Sequence, residues 1–161
     1  MVSFHHRGII IEATVETVPC AFMLENQPRM RIDRIPDVRV NFWGYIIQNG
    51  NLDGLAFVKS CTQYFLQCYW KRSSKQGTRI ELGKTLNDGE KSDVEKTLNI
   101  VARQKDNQHY LHIYVQENGR TTNEVYLDGQ ETIMLDIALG KAVNLLTPTP
   151  HFVSPYPFGY Y

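Results

Sequence analysis

Twice along this chain, several short segments of alternating apolar and polar residues are followed by one amphipathic helix. The first pass closes on Leu55, Val58, Cys61, Phe65 and Cys68, whose spacing predicts a helix over 55–70. The second closes on Met134, Ile137, Ala138, Lys141 and Leu145, which predict a helix over 130–146. An alternating strand has one apolar face, and that face has to be covered. Strands followed by a helix, repeated once, therefore predict an α+β fold of two β-β-β-β-α repeats, forming two antiparallel sheets packed with helices. The opposite sheet faces and the sheet edges stay open to something long and flat, such as a single nucleic-acid strand.

The strands follow from alternation and from turn residues. In the first repeat they are expected at 8–18, closed by Pro19, at 21–24, at 29–35, stopped by Pro36, and at 38–47. Met30 and Ile32 fall on one face of the third strand, Arg29 and Arg31 on the other. In the fourth, Val38, Val40 and Phe42 oppose Arg39, Asn41 and Trp43. The basic, Ser-rich stretch 71–77 is the expected junction. In the second repeat, strands are expected at 79–85, 97–103, 110–116 and 122–127. Their inward residues would be Ile80 and Leu82, then Leu98, Ile100 and Ala102, then Leu111, Ile113 and Val115, then Val125 and Leu127. Asp106-Asn107 and Asn118-Gly119 supply hairpin turns. Asp128 with Glu131 forms a capping box ahead of the last helix. The layout is one domain over 1–150, with repeats near 7–72 and 78–147, and a Pro- and aromatic-rich tail over 151–161.

Composition narrows the function classes. With 42% hydrophobic and 21% charged residues, the chain is expected to fold rather than stay disordered. Seventeen basic against seventeen acidic side chains give zero formal charge, which argues against a general polyanion coat but leaves room for a local basic stripe. No apolar run is long enough for a membrane span. Cys20, Cys61 and Cys68 are read as free thiols of an intracellular, reducing compartment. No phosphate-cradling glycine loop, nucleophile elbow or metal-ligand spacing occurs, and the His5-His6 pair stands alone near the start. The expectation is a non-enzymatic protein with no cofactor and no metal.

Two sets of outward residues suggest binding. Tyr110, His112 and Tyr114 point away from the core side of their strand, and Tyr126 and Arg103 share that parity on its neighbours. Such a face could stack bases, each contributing on the order of 1–3 kcal/mol, or could pack structurally, since aromatics favour strands. Arg29, Arg31 and Arg39 share an outward face in the first repeat with Trp43 beyond them, and Lys71, Arg72 and Lys75 lie in the junction. Arginine can clamp phosphate and stack on bases.

The segment Gly89-Glu-Lys-Ser-Asp-Val-Glu-Lys-Thr-Leu-Asn-Ile-Val101, followed by His109-Tyr-Leu-His-Ile-Tyr-Val-Gln116, Glu124-Val-Tyr-Leu127 and the final helix, resembles the second half of the Whirly family. The resemblance implies two perpendicular four-stranded sheets, tetrameric assembly and binding of single-stranded DNA or guide RNA. It covers 89–146 by order and pattern, and the first half by element order only. Plant members carry Lys-Gly-Lys-Ala-Ala-Leu in their first strand, where this chain has Arg7-Gly8-Ile9-Ile10-Ile11; only the basic-Gly pair remains, so Arg7 is carried over as a candidate contact. The expected function is low-specificity binding of single-stranded DNA or RNA by a homotetramer, without membrane association. The alternative is an assembly protein whose aromatic sheet faces bury against identical or other subunits. Zero net charge favours that alternative.

Overall fold

The computed structural model describes residues 1–71, 86–87 and 95–146, with side chains over 1–67 and 95–146. The first sheet is β1 (Val2–His6), β2 (Ile9–Leu24), β3 (Gln27–Phe42) and β4 (Tyr45–Gln48), in that spatial order, and α1 (Leu52–Lys71) follows it. The second sheet is β5 (Leu86–Asn87), β6 (Lys96–Lys105), β7 (Gln108–Glu117) and β8 (Arg120–Leu127), followed by α2 (Gly129–Leu146). Every strand pair is antiparallel. The fold is α+β, with two sheets and two helices, as the alternation predicts.

Among the described residues, five hairpins close on two-residue turns in which both residues have positive φ: Arg7-Gly8, Glu25-Asn26, Trp43-Gly44, Asp106-Asn107 and Asn118-Gly119. That backbone matches the right-handed strand twist and sets the register beside each turn. The predicted turns at 106–107 and 118–119 hold. The one at Trp43-Gly44 splits the single strand expected over 38–47 into β3 and β4. The one at Arg7-Gly8 joins β2 to β1, which carries His5 and His6 and which alternation over only five residues does not reveal.

Neither Pro19 nor Pro36 ends a strand. β2 and β3 run unbroken through them as one ladder, from Ile9 opposite Phe42 to Leu24 opposite Gln27. The physical reason lies in the register. A two-residue turn makes Leu24 and Gln27 a hydrogen-bonded pair, and pairs alternate from there. Pro19, Pro28 and Pro36 all fall at the alternate positions, where a missing N–H faces away from the β2–β3 ladder. The side-chain amide of Asn49 donates to the Pro36 carbonyl at 3.2 Å on that outer side.

The inner faces carry Ile9, Ile11 and Ala13 from β2, Val38, Val40 and Phe42 from β3, and Tyr45 and Ile47 from β4. Leu98, Ile100, Ala102, Leu111, Ile113, Val115, Val125 and Leu127 do the same in the second sheet, each where parity predicts. Leu55, Val58, Cys61 and Phe65 of α1 and Leu135, Ala138, Leu139 and Ala142 of α2 fill the space between, in a single core. Leu139 and Ala142 are therefore core residues, although the stripe from which the helix is read, Met134, Ile137, Ala138, Lys141 and Leu145, contains neither. The exposed apolar side chains there are Met134 and Ile137. The expected strand over 79–85 and the junction over 72–77 lie outside the described residues.

Polar contacts lock the repeats together. Asp128 and Glu131 form the predicted capping box, with Glu131 N donating to Asp128 Oδ1 at 2.8 Å and Asp128 N to Glu131 Oε1 at 3.2 Å. The other oxygen of Glu131 meets His6 Nε2 at 2.5 Å and Arg7 Nη1 at 3.3 Å. Asp136 of α2 takes Lys59 Nζ at 2.8 Å and lies 2.7 Å from the Thr62 hydroxyl of α1.

The Arg7-Gly8 turn explains a further feature. Gly8 has φ near 89°, and a Cβ there would collide with the Trp43 ring, whereas one at Gly119, with φ near 81°, would meet open space. Both Gly8→Ala and Gly119→Ala should destabilise through backbone strain, by about 1–3 kcal/mol each. Gly8→Ala should cost distinctly more, because it must also displace the indole. Denaturant unfolding of the two variants measures the difference, and equal destabilisation would show that the ring moves freely.

Candidate nucleic-acid interface

Antiparallel register places a row of outward side chains across the second sheet. Val101, His112 and Tyr126 stand opposite one another on β6, β7 and β8; Asn99, Tyr114 and Glu124 form the next row, and Arg103 faces Tyr110. A register shift between Val115 and Gln116 opposite β8 lets Val125 and Leu127 point inward while Glu124 and Tyr126 point out. The five residues singled out by parity, Arg103, Tyr110, His112, Tyr114 and Tyr126, thus come together on one face.

His112 is the centre of this face rather than its surface. Its ring stacks on Tyr126 with centroids 4.1 Å apart and planes 2° apart, and on Tyr114 at 4.5 Å. Tyr110 meets Tyr126 edge-on at 6.3 Å. Only 6% of His112 is exposed, against 38% of Tyr126. Both ring nitrogens are engaged: Arg103 Nε donates to Nδ1 at 2.8 Å, and Nε2 lies 2.8 Å from Glu124 Oε1. Arg103 has no acceptor to offer and Glu124 no donor, so the arrangement selects the neutral imidazole with its proton on Nε2. Burial lowers the His112 pKa, the Glu124 hydrogen bond opposes that, and the Arg103 charge adds to the lowering; the net direction is down. Glu124 is a further member, outside the five candidates. The signal for it in the sequence is its i, i+2 spacing to Tyr126 on the same strand face.

The remaining candidates do not join this cluster. Arg29, Arg31 and Arg39 do share one face of β3, as predicted, but that face belongs to the other sheet. Arg31 pairs with Asp33 at 2.9 Å and lies 5.6 Å over the Phe22 ring, and Arg39 stands across from Glu12 in the ladder. Trp43 does not extend the arginine face. It occupies a turn and packs, half-buried, against the core and Gly8. Arg7 is held by Glu131 and donates to the Tyr126 carbonyl at 3.0 Å, which ties the first hairpin to the strand carrying the aromatic face. Lys71 ends α1; its side chain, Arg72 and Lys75 lie outside the described residues. Among the described residues no group of three His, Cys, Asp or Glu side chains is placed to hold a metal, and no helix is long and apolar enough to cross a membrane.

The cluster has a pH signature. A histidine whose folded pKa lies below its unfolded value near 6.5 contributes stability that is intact above that value and is lost as pH falls through the folded one. The His112 imidazole should titrate by NMR below free histidine. Arg103→Gln should raise its midpoint by removing the neighbouring cation, and an unmoved midpoint would mean that the Nε–Nδ1 contact does not persist in solution. Neither a scan against protein-family models nor a search of curated proteins finds a match to this chain.

Proposed function

We propose that this protein binds single-stranded DNA or RNA, with low sequence specificity, as a homotetramer. The observation that carries the reading is the ring stack on the outer face of the second sheet: three tyrosines grouped around a covered, neutral imidazole, with Arg103 at its side. Tyr126 is exposed and Tyr110 and Tyr114 are half-buried; the open part of a tyrosine ring stacks bases whatever their identity, and only an unpaired strand can splay its bases to meet it. Arg103 gives His112 only its Nε, so its terminal nitrogens remain suited to a phosphate. The Whirly resemblance over 89–146 supports the same ligand and the same assembly. Arg29, Arg31 and Arg39 would follow the backbone on the other sheet.

The second reading, an assembly protein, draws on the exposed apolar residues of β2 and β3, notably Met23, Met30 and Ile32. Fluorescence anisotropy with fluorescein-labelled oligonucleotides separates the two. Single strands should bind more tightly than duplex of equal sequence; equal affinity for both, or none in low salt, would remove the leading reading. Tyr110→Ala with Tyr114→Ala should weaken binding with little change in salt dependence. Arg29→Ala, Arg31→Ala and Arg39→Ala together should flatten the slope of log affinity against log salt by roughly 1 for each phosphate no longer neutralised. A tyrosine variant that falls apart into monomers beside an arginine variant that binds normally would assign the rings to subunit contacts.

A further inference from the structure

Beyond residue 13, β2 leaves β1 behind, and before residue 39, β3 has not yet met β4. Among the described residues, the stretch from Thr14 opposite Asp37 to Leu24 opposite Gln27 is therefore a bare two-stranded arm. Two-stranded ribbons are marginal in water without something packed on them. This one exposes Met23, Leu24, Met30, Ile32 and Ile35, with Met23, Met30 and Ile32 each more than 60% accessible. Exposed patches of that kind mark interaction surfaces.

The arm's edges are poor places for a partner. By the pairing alternation, the backbone nitrogens of Pro19, Pro28 and Pro36 all face the open edges, so a strand added there would find gaps in its ladder. What remains is a face. One face carries Val15, Pro19, Ala21 and Met23 against Pro36, Ile32, Met30 and Pro28, interrupted by Thr17 and Arg34. It continues, at unbroken parity, the inner face formed nearer the body by Ile11, Ala13, Val38 and Val40. Within the chain, that inner face is covered by α2. The other face of the arm is mixed: Glu16, Arg29, Arg31 and Asp33 alternate there with Val18, Phe22, Leu24 and Ile35, so the charge-free apolar run lies on the Met23–Met30–Ile32 side.

A surface that continues a helix-covered layer calls for another helix, and the chain has one with an unused apolar stripe. Met134 and Ile137 lie one turn apart on α2, both more than half exposed, on the side away from Leu135, Ala138 and Leu139. We propose that the arm seats its Met23–Met30–Ile32 face on the Met134–Ile137 stripe of a second copy of this chain, reciprocally, in a two-fold pair. The inference rests on the oligomer reading above and not on the nucleic-acid reading. At about 3.3 Å per residue the arm reaches about 36 Å, and two strands are about 10 Å wide. Helix α2, 18 residues at about 1.5 Å each, is about 27 Å long and limits the contact to that length, so one arm would bury roughly 540 Å² counted on both partners and a reciprocal pair roughly 1,100 Å², just above the roughly 1,000 Å² that a specific interface needs. A single arm would fall short, which is why closure by symmetry is part of the proposal.

Site-directed cross-linking of the full chain tests this. With Cys20 and Cys68 replaced by serine, one pool carries Ile32→Cys and another Ile137→Cys. Mixed and mildly oxidised, the two should give a disulfide-linked dimer made of one chain from each pool. Met30→Asp with Ile32→Asp should reduce the sedimenting mass at micromolar concentration while circular dichroism stays unchanged. An oligomer that survives the aspartates and gives no mixed cross-link would overturn the arm proposal and leave the oligomer reading standing. Cross-links within the Ile32→Cys pool alone would show arm-to-arm contact, and overturn it as well. A wild-type chain that sediments as a monomer would overturn both. Should the aspartate variant unfold, the cysteine pools decide alone, since beyond the two serine replacements each alters one exposed side chain and introduces no charge.

Discussion

What is positioned in this molecule depends on strand register, set by two-residue turns and, between β7 and β8, corrected by one shift at Val115/Gln116. Among the described residues, five hairpins close with both turn residues in the left-handed region, and a register slip of one residue would exchange every inner side chain for an outer one. In the second sheet, the turn at Asp106-Asn107 sets β6 against β7 so that Leu111 and Ile113 face the core while Tyr110, His112 and Tyr114 face out, and the shift at Val115/Gln116, beyond the reach of the Asn118-Gly119 turn, brings Tyr126 onto the same outer face. In the first, the turn at Glu25-Asn26 sets the pairing that lets three prolines sit in a sixteen-residue ladder. The aromatic face and the apolar arm are both consequences of register.

Two half-size sheets do not each close a core; they share one, and charged groups at its margin hold the halves in place. Glu131 is the busiest of these, serving its own helix N-terminus and receiving His6 and Arg7 from the first hairpin. Partial burial raises its pKa, but the His6 hydrogen bond, the Asp128 amide and Arg7 outweigh that and bring it below the usual carboxylate value. A carboxylate with a depressed folded pKa stabilises above its ordinary value, and that stability is lost as pH falls through the folded one. Acid therefore loosens the joint between repeats from the Glu131 side. Asp136, between Lys59 and Thr62, makes the matching joint between the two helices.

The last three strands of the second repeat are legible in the sequence almost residue by residue, because they alternate cleanly and their turns carry Asp, Asn and Gly. The first repeat is legible in element type and in the face shared by Arg29, Arg31 and Arg39, but not in its partition. Pro19 and Pro36 look like strand ends in a sequence, and only the pairing reveals that their nitrogens face an open edge. Trp43-Gly44 lacks the usual hairpin composition, so it passes for strand interior. The two stripes of α2 are hard to tell apart because Met134 and Leu139 are equally apolar; which faces the core depends on the packing of α2 against two sheets at once. At the aromatic face, parity identifies the members, and it does not reach the stacking order that covers His112.

That stacking order shapes what the face can bind. Arg103 and Glu124 carry opposite charges and are joined through a neutral ring, so the cluster has little net charge with which to attract phosphates. On the proposed reading, affinity at this face comes mainly from the outer tyrosine surfaces and the apolar area they cover on stacking, with Arg103 setting the path of the backbone. Protonating His112 would place a second donor against Arg103 Nε, break that hydrogen bond and free the guanidinium, while the bond to Glu124 gains charge. The face would then carry an added positive charge and a mobile arginine. Its hold on a polyanion should strengthen in acid even as the Glu131 joint between repeats weakens, so binding and stability would move in opposite directions with pH.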